Sequence, residues 1–229
     1  CKPSDVANSA LTWKGFLRCK QSGEGEFDWL LLGDSHAEHL FIGLAQENPK
    51  INLAFYIFGA PPYLNEEKFK NIFEAISKIE NSKTIFLTMH FVTRVESERA
   101  LIDGFGSTIS YLQNLGHRVI LLGDIPRYDV SPEDCKYGES IKQVTQHCSM
   151  KFSNFQKQTQ IYESALRKLS SSFGIYFLSV HQPLCNKERC NMILNKNILY
   201  RDNHHLNIPG SIMIGKMLSK QLSEVLSNY

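Results

Sequence analysis

No run of apolar residues in this 229-residue chain approaches the roughly 20 that a membrane span needs. Charge of one sign is not in excess either. The 25 lysines and arginines face 23 acidic residues, a net of +2, and no dense basic stripe with interleaved aromatics occurs. A nucleic-acid partner is therefore not expected. CxxC-like spacing is missing, so the six cysteines do not spell a structural zinc site. No motif calls for a metal, nucleotide or other cofactor. Asn-x-Ser/Thr sequons, internal repeats and low-complexity linkers are also missing. What remains is 42% hydrophobic residues spread along the whole length, which excludes disorder for most of the chain.

The cysteines and the start of the chain carry the first positive signals. Cys1, Cys19, Cys135, Cys148, Cys185 and Cys190 fall into three local pairs. Short loops close at the least entropic cost, so the expected disulfides are Cys1–Cys19, Cys135–Cys148 and Cys185–Cys190. Disulfides imply an oxidising compartment. A chain that opens at Cys1, with no signal-peptide pattern, is expected to be a processed or excised piece of a longer product. A lipid-modified amino-terminal cysteine and excision both fit, and the nearby mate Cys19 favours excision.

Strand-like and helix-like segments alternate. Phe27 to Leu32 is a continuous apolar run ending at Gly33, as in a strand buried on both faces. Ala37, Leu40, Phe41, Leu44 and Ala45 then repeat at helical spacing. Strands are also expected over Ile51 to Phe58, Thr84 to Thr88, His117 to Leu122 and Gly174 to Ser179. Helices are expected around Phe69 to Ile79, Glu96 to Leu115, Ser153 to Ser172 and Pro209 to Ser227. Pro126 to Met150 reads as irregular, and Cys185 to Tyr200 as a short hairpin or loop. Repeated strand–helix–strand units imply an α/β fold, a three-layer α/β/α sandwich with a central parallel sheet. Residues 1–26 read as a disulfide-tethered lead-in segment and 27–229 as one domain.

Function in such sheets collects where loops leave the carboxyl ends of the strands. Gly33-Asp34-Ser35-His36 places a serine in a strand-to-helix turn, with the free N–H groups of a helix start behind it. Alone, the same residues describe an ordinary helix cap. Tyr200-Arg201-Asp202-Asn203-His204-His205-Leu206 precedes the last helix. Its Asp-x-x-His spacing lets Asp202 accept a bond from one nitrogen of His205, leaving the other to take a serine proton. Adjacent His204 is the rival base, with its side chain expected to point away from Asp202.

Together the two motifs resemble the SGNH (GDSL-type) hydrolase superfamily, from about Phe27 to the carboxyl terminus. Leu31-Leu32-Gly33-Asp34-Ser35-His36-Ala37 and Leu199-Tyr200-Arg201-Asp202-x-x-His205-Leu206 look most like SGNH domains fused to bacterial membrane acyltransferases of the acyltransferase-three family. The two-cysteine stretch from Cys185 to Cys190 is similar to that group as well. The resemblance implies a flavodoxin-like sandwich and a triad of Ser35 as nucleophile, His205 as base and Asp202 as its orienter. It implies oxyanion donors at the N–H groups of Ser35 and Gly59. It further implies a domain at the periplasmic face of the inner membrane, acylating a surface polysaccharide such as lipopolysaccharide O-antigen. The acyl group, most simply acetyl, would come from a membrane acyltransferase domain. A secreted carbohydrate esterase or lipase, and an inactive glycan-binding module, are the alternatives. Nothing in the pattern sets an oligomeric state.

The chain departs from the superfamily after the third strand. Where Gly-x-Asn-Asp is usual, Thr88-Met89-His90-Phe91 stands, so the asparagine oxyanion donor is missing. A donor of this kind is worth about 3–4 kcal/mol, which implies a weaker hydrolase, or a site completed by substrate or by another residue. His90 is one candidate for that donor. His36, His39 and Arg201 are candidates for lining the substrate groove. Asp34 reads as a turn-holding residue and Asp124 as a loop or cap residue.

Overall fold

A computed structural model describes residues 19–135 and 147–227. The elements run β1 (Cys19–Gln21), β2 (Trp29–Gly33), α1 (Ser35–Glu47), β3 (Leu53–Ile57), α2 (Lys70–Ile76), β4 (Thr84–Leu87), α3 (Phe91–Arg94), α4 (Glu98–Asn114) and β5 (Arg118–Leu122). They continue with β6 (Ser149–Lys151), α5 (Phe152–Phe173), β7 (Tyr176–Leu178), β8 (Arg189–Asn191), β9 (Ile193–Leu194), β10 (Asn197–Ile198) and α6 (Ile208–Leu226). Every residue of β2, β3 and β4 is buried. Covered on both faces, these strands need apolar residues at successive positions, which is why they read as unbroken hydrophobic runs.

Six strands form the main sheet in the order β1-β3-β2-β4-β5-β7. All pairs are parallel except β1 with β3, where Cys19 opposes Tyr56 and Gln21 opposes Ala54. Cys19–Gln21, within the expected lead-in segment, thus add an antiparallel edge strand. Side chains alternate between faces. Leu30 and Leu32 share a core with Ile72, Phe105, Ile109 and Leu166 from α2, α4 and α5. Trp29 and Leu31 share the other core with Leu40, Leu44, Ile214 and Leu218 from α1 and α6. This is the expected three-layer α/β/α sandwich. Among the described residues no helix is long and apolar enough to cross a membrane.

The chain goes from β2 to β3 on one side and then to β4 on the other. The loops after β2, β3 and β4 therefore diverge from a switch point, the place where open α/β sheets hold ligands. Two glycine positions set distances there. A Cβ on Gly33 would lie 1.9 Å from the Thr88 carbonyl oxygen, so the ends of β2 and β4 meet backbone to backbone. A Cβ on Gly43 would lie 1.9 Å from the Ser211 oxygen, and one on Gly215 would lie 2.2 Å from the Gly43 carbonyl carbon. Helices α1 and α6 cross in contact at this point, where the Gly43 N–H also donates to Ser211 Oγ at 2.9 Å.

The disulfides Cys135–Cys148 and Cys185–Cys190 are present, and the Cys1–Cys19 pairing lies outside the described residues. Both observed bridges pin the region that reads as irregular in the sequence. There β6 pairs with β8, and β9 with β10 across a tight turn whose residues Asn195 and Lys196 have φ of 50° and 66°. The β9–β10 hairpin falls in the stretch expected to be a short hairpin or loop, whereas β6 and the four-residue α3 are too short to show a hydrophobic period.

The glycine crossing yields a prediction. Gly43→Ala should lower the unfolding free energy by about 2–3 kcal/mol, the usual scale of overpacking against backbone that has no room to move. Chemical denaturation should show a lower midpoint at an unchanged slope.

Candidate active site

The serine turn is built by a buried carboxylate. Asp34 is the N-cap of α1, and its Oδ1 accepts the His36 N–H at 2.9 Å. Its two oxygens also accept the His90 N–H, each at 3.1 Å, and Oδ2 accepts Arg94 Nε at 3.2 Å. Burial pushes the Asp34 carboxyl up, while the two N–H groups and the Arg94 charge pull it back. Asp34 therefore does more than hold its own turn. It ties the loop after β2 to the loop after β4, and it starts α1 so that Ser35 is the first helical residue. The Ser35 N–H accordingly has no intrahelical partner.

The histidine loop is closed from outside and braced from within. Tyr200 and Leu206 form an antiparallel bridge, and the Arg201 N–H donates to the His205 carbonyl at 2.9 Å. Tyr200 Oη donates to the Pro126 carbonyl at 3.0 Å, and the Tyr128 N–H to the Asn203 carbonyl at 2.8 Å. Asp202 Oδ1 accepts the backbone N–H groups of His204 at 2.9 Å and His205 at 2.8 Å. That turn leaves Asp202 Oδ2 facing His205 Nδ1 at 2.7 Å. His205 Nε2 lies 2.7 Å from Ser35 Oγ. The carboxylate selects the tautomer with the proton on Nδ1, so Nε2 presents a lone pair to the serine hydroxyl. Burial works to raise Asp202, but the His204 N–H and the His205 bonds outweigh it and hold the carboxyl at about 2. Burial lowers His205 below the ordinary imidazole range, partly opposed by its bond to Asp202.

Ser35 and His205 open into a cleft of about 490 Å³, lined also by Asp34, Glu38, Ile57, Phe58, Gly59, Arg94, Arg201 and Asp202. Gly59 is exposed at its wall. Arg201 reaches Glu38 at 3.5 Å across the rim. Beyond that pair lies a second hollow of about 360 Å³, which His39 lines together with Phe41, Phe55 and Leu206.

His36 and His90 do not line the cleft. His36 Nδ1 makes a buried 2.6 Å contact with Asp124 Oδ1. Asp124 also accepts the N–H groups of Phe91 at 3.1 Å and Ile125 at 2.8 Å. Asp124, read from sequence as a loop or cap residue, does take the first N–H of α3, and its buried contact with His36 goes beyond that reading. The His36 and His90 rings stack at 4.2 Å and 7°, and His90 and His204 at 4.7 Å and 15°. His204 Nδ1 lies 2.6 Å from Asn203 Oδ1 and 3.4 Å from Asp202 Oδ1, so its side chain does not point away from Asp202 as expected, yet it is His205 that meets the serine. His36, His90 and His204 bring ring nitrogens within 4.8 Å of one another. In a near-parallel stack, however, the in-plane lone pairs run side by side. Three imidazoles holding one metal need lone pairs that converge. Arg94, in the cleft wall, had no signal in the sequence beyond the gap left by the missing asparagine.

The family model described as SGNH domain (fused to AT3 domains) matches residues 2–220. No curated protein sequence matches the chain. Among solved structures, the periplasmic domain of a lipopolysaccharide acetyltransferase from Salmonella ser. Paratyphi A is similar, with a TM-score of 0.66 at 19% identity over 87% of this chain and 85% of that one. A protein from Lactobacillus plantarum gives 0.54 at 16% identity over 88% and 99%. A GDSL-like lipase from Bacteroides thetaiotaomicron gives 0.51 at 12% identity over 86% and 87%. At these identities the likeness shows the fold.

The histidine cluster yields a prediction about acid stability. Burial holds His36 and His39 well below the imidazole range and His90 down to about 3. Below about pH 6.5 the unfolded chain binds protons that these folded histidines refuse, so stability falls as pH falls. Asp124, raised by burial to about 7, works the other way. Three histidines outweigh it, and the thermal midpoint should drop by about 5–10 °C between pH 7 and pH 5. His90→Asn should flatten that slope, which thermal melts across the range would read directly.

Proposed function

The chain belongs to the family of SGNH domains fused to AT3 domains, and we propose that it transfers an acyl group, most simply acetyl, to a hydroxyl of a bacterial surface polysaccharide through an acyl-serine on Ser35. One observation carries this reading. Ser35 Oγ, His205 and Asp202 form a chain of two 2.7 Å contacts that ends in an open cleft.

His205 Nε2 takes the hydroxyl proton as Ser35 Oγ bonds to the acyl carbon, and the imidazolium that forms faces an ionised Asp202. The N–H groups of Ser35 and Gly59 receive the carbonyl oxygen as it gains charge. The intermediate collapses when His205 returns its proton to the leaving group. A sugar hydroxyl then reverses the steps, with His205 removing its proton. The likeness to a periplasmic lipopolysaccharide acetyltransferase domain supports a surface glycan as acceptor and a periplasmic position. The family's fusion to AT3 domains supports a membrane partner domain as the source of the acyl group.

In cells carrying the full-length protein, Ser35→Ala and His205→Ala should each lower polysaccharide acylation by about 10⁴-fold or more at matched expression. His204→Ala should change it by less than about tenfold, since its ring stacks on His90 away from the serine. An active His205→Ala beside an inactive His204→Ala would reverse the assignment of the base.

The rate should also report the environment of His205. The imidazole must be neutral to accept a proton, and burial lowers it. The acid limb of kcat/KM against pH should therefore fall below pH 6.5, the ordinary imidazole value. Asp202→Asn removes the group that raises His205, so the limb should move to still lower pH while kcat drops.

A further inference from the structure

The acyl-transfer reading leaves one electrostatic demand unmet. The tetrahedral intermediate places a full charge on the former carbonyl oxygen, and two backbone N–H groups are available to it. The asparagine that would be a third donor is replaced by His90, whose ring is stacked between His36 and His204 and whose N–H is given to Asp34. His90 is therefore not that donor.

Arg94 stands one turn further on, at the end of α3. Its guanidinium forms the cleft wall together with Ser35 and Gly59. Arg94 Nη2 lies 3.8 Å from the position a Cβ on Gly59 would take, and it is the atom recorded within 4 Å of that position. At its other edge, Nε is held by Asp34 Oδ2 at 3.2 Å. The side chain is about one-third exposed, at 34%, so its head is partly in the cleft. The fork is thus tethered by one nitrogen next to the serine turn, with another beside the exposed glycine.

The ion pair with Asp34 engages Arg94 Nε and leaves the Nη groups of the fork for the cleft. That carboxylate already accepts the N–H groups of His36 and His90, which complete the cap and the bridge to β4. The other arginine of the cleft, Arg201, is paired with Glu38 at the rim. A guanidinium stays charged at any working pH and offers donors in a rigid plane. Those are the properties that a developing oxyanion rewards.

We propose that Arg94 is a catalytic residue whose Nη2 donates to the acyl carbonyl oxygen as it becomes an oxyanion, in place of the missing asparagine side chain. The proposal rests on the acyl-transfer reading. As the Ser35 Oγ–carbon bond forms, the carbonyl π pair moves onto oxygen and the serine proton goes to His205 Nε2. Arg94 keeps its protons throughout and supplies a charged hydrogen bond that is strongest in the transition state.

The test uses the chain itself with 4-nitrophenyl acetate as the acyl ester and phenylboronic acid as a probe that forms a tetrahedral adduct on an active-site serine. Arg94→Gln and Arg94→Ala should lower kcat by about 10²-fold with KM within about twofold of the parent. Arg94→Lys should fall between, because it keeps the charge and loses the fork. Added guanidinium ion should restore part of the Arg94→Ala rate and none of the Ser35→Ala rate. Boronate affinity should fall in Arg94→Gln by about the factor lost from kcat, a readout that does not depend on turnover. A folded Arg94→Gln with kcat and boronate affinity both within about twofold of the parent would overturn the role of Arg94 while leaving the acyl-serine intact. A Ser35→Ala variant that keeps the parent rate, or still binds boronate as the parent does, would overturn the acyl-serine reading, and this proposal with it.

Discussion

A single buried carboxylate organises the end of this molecule where Ser35 meets His205. Asp34 is 2% exposed and accepts hydrogen bonds from the first turn of α1, from the loop after β4 and from the Arg94 side chain. A buried carboxylate without such partners would cost several kcal/mol, so its donors and the carboxylate fix one another. The consequence is geometric. The first residue of α1 must be Ser35, its hydroxyl must leave the sheet at the switch point, and α3 must fold back beside it. Asp124, at the end of β5 two strands over, repeats the arrangement, gathering the Phe91 N–H and the His36 ring. Together the two carboxylates receive the N–H groups of His90 and Phe91, at the start of a helix only four residues long.

The second constraint is the contact between α1 and α6. Ser35 begins one helix, and His205 lies three residues before the other, so their mutual distance depends on how closely the helices cross. Gly43 and Gly215 allow backbone contact there. Asn207 caps α6 by accepting the Gly210 N–H at 3.0 Å and anchors to the Ile198 carbonyl at 2.8 Å. The histidine loop is therefore closed across its base by the Tyr200–Leu206 bridge and fixed at its far end by the Asn207 side chain. The Ser35–His205 contact follows from that frame, and neither side chain has to find the other by chance.

The parts of this picture that were legible in the sequence are those with a period or a fixed spacing. Buried parallel strands such as β2 announce themselves as apolar runs, and α1 and α6 as stripes. Gly33-Asp34-Ser35 and Asp202-x-x-His205 carry their geometry locally, because a cap and an Asx-type turn need only adjacent residues. Contacts between distant loops left no such trace. His36 looked like a helix residue near the groove, yet it points inward to Asp124, 88 positions away. His90 looked like a candidate oxyanion donor, yet stacking on two other imidazoles takes its ring out of the cleft. Arg94 had no visible partner until the loops after β2 and β4 were brought together. The α3 turn and the short strand β6 escaped because three or four residues cannot display a hydrophobic period.

The central claim is that Ser35 is a nucleophile activated by His205. A fluorophosphonate, which bonds covalently to an activated serine hydroxyl, tests it most directly when peptide mapping locates the adduct. The account predicts one adduct per chain, on Ser35, and its loss in His205→Ala at unchanged folding. An adduct on another residue, or an unlabelled Ser35 in the folded parent chain, would contradict it.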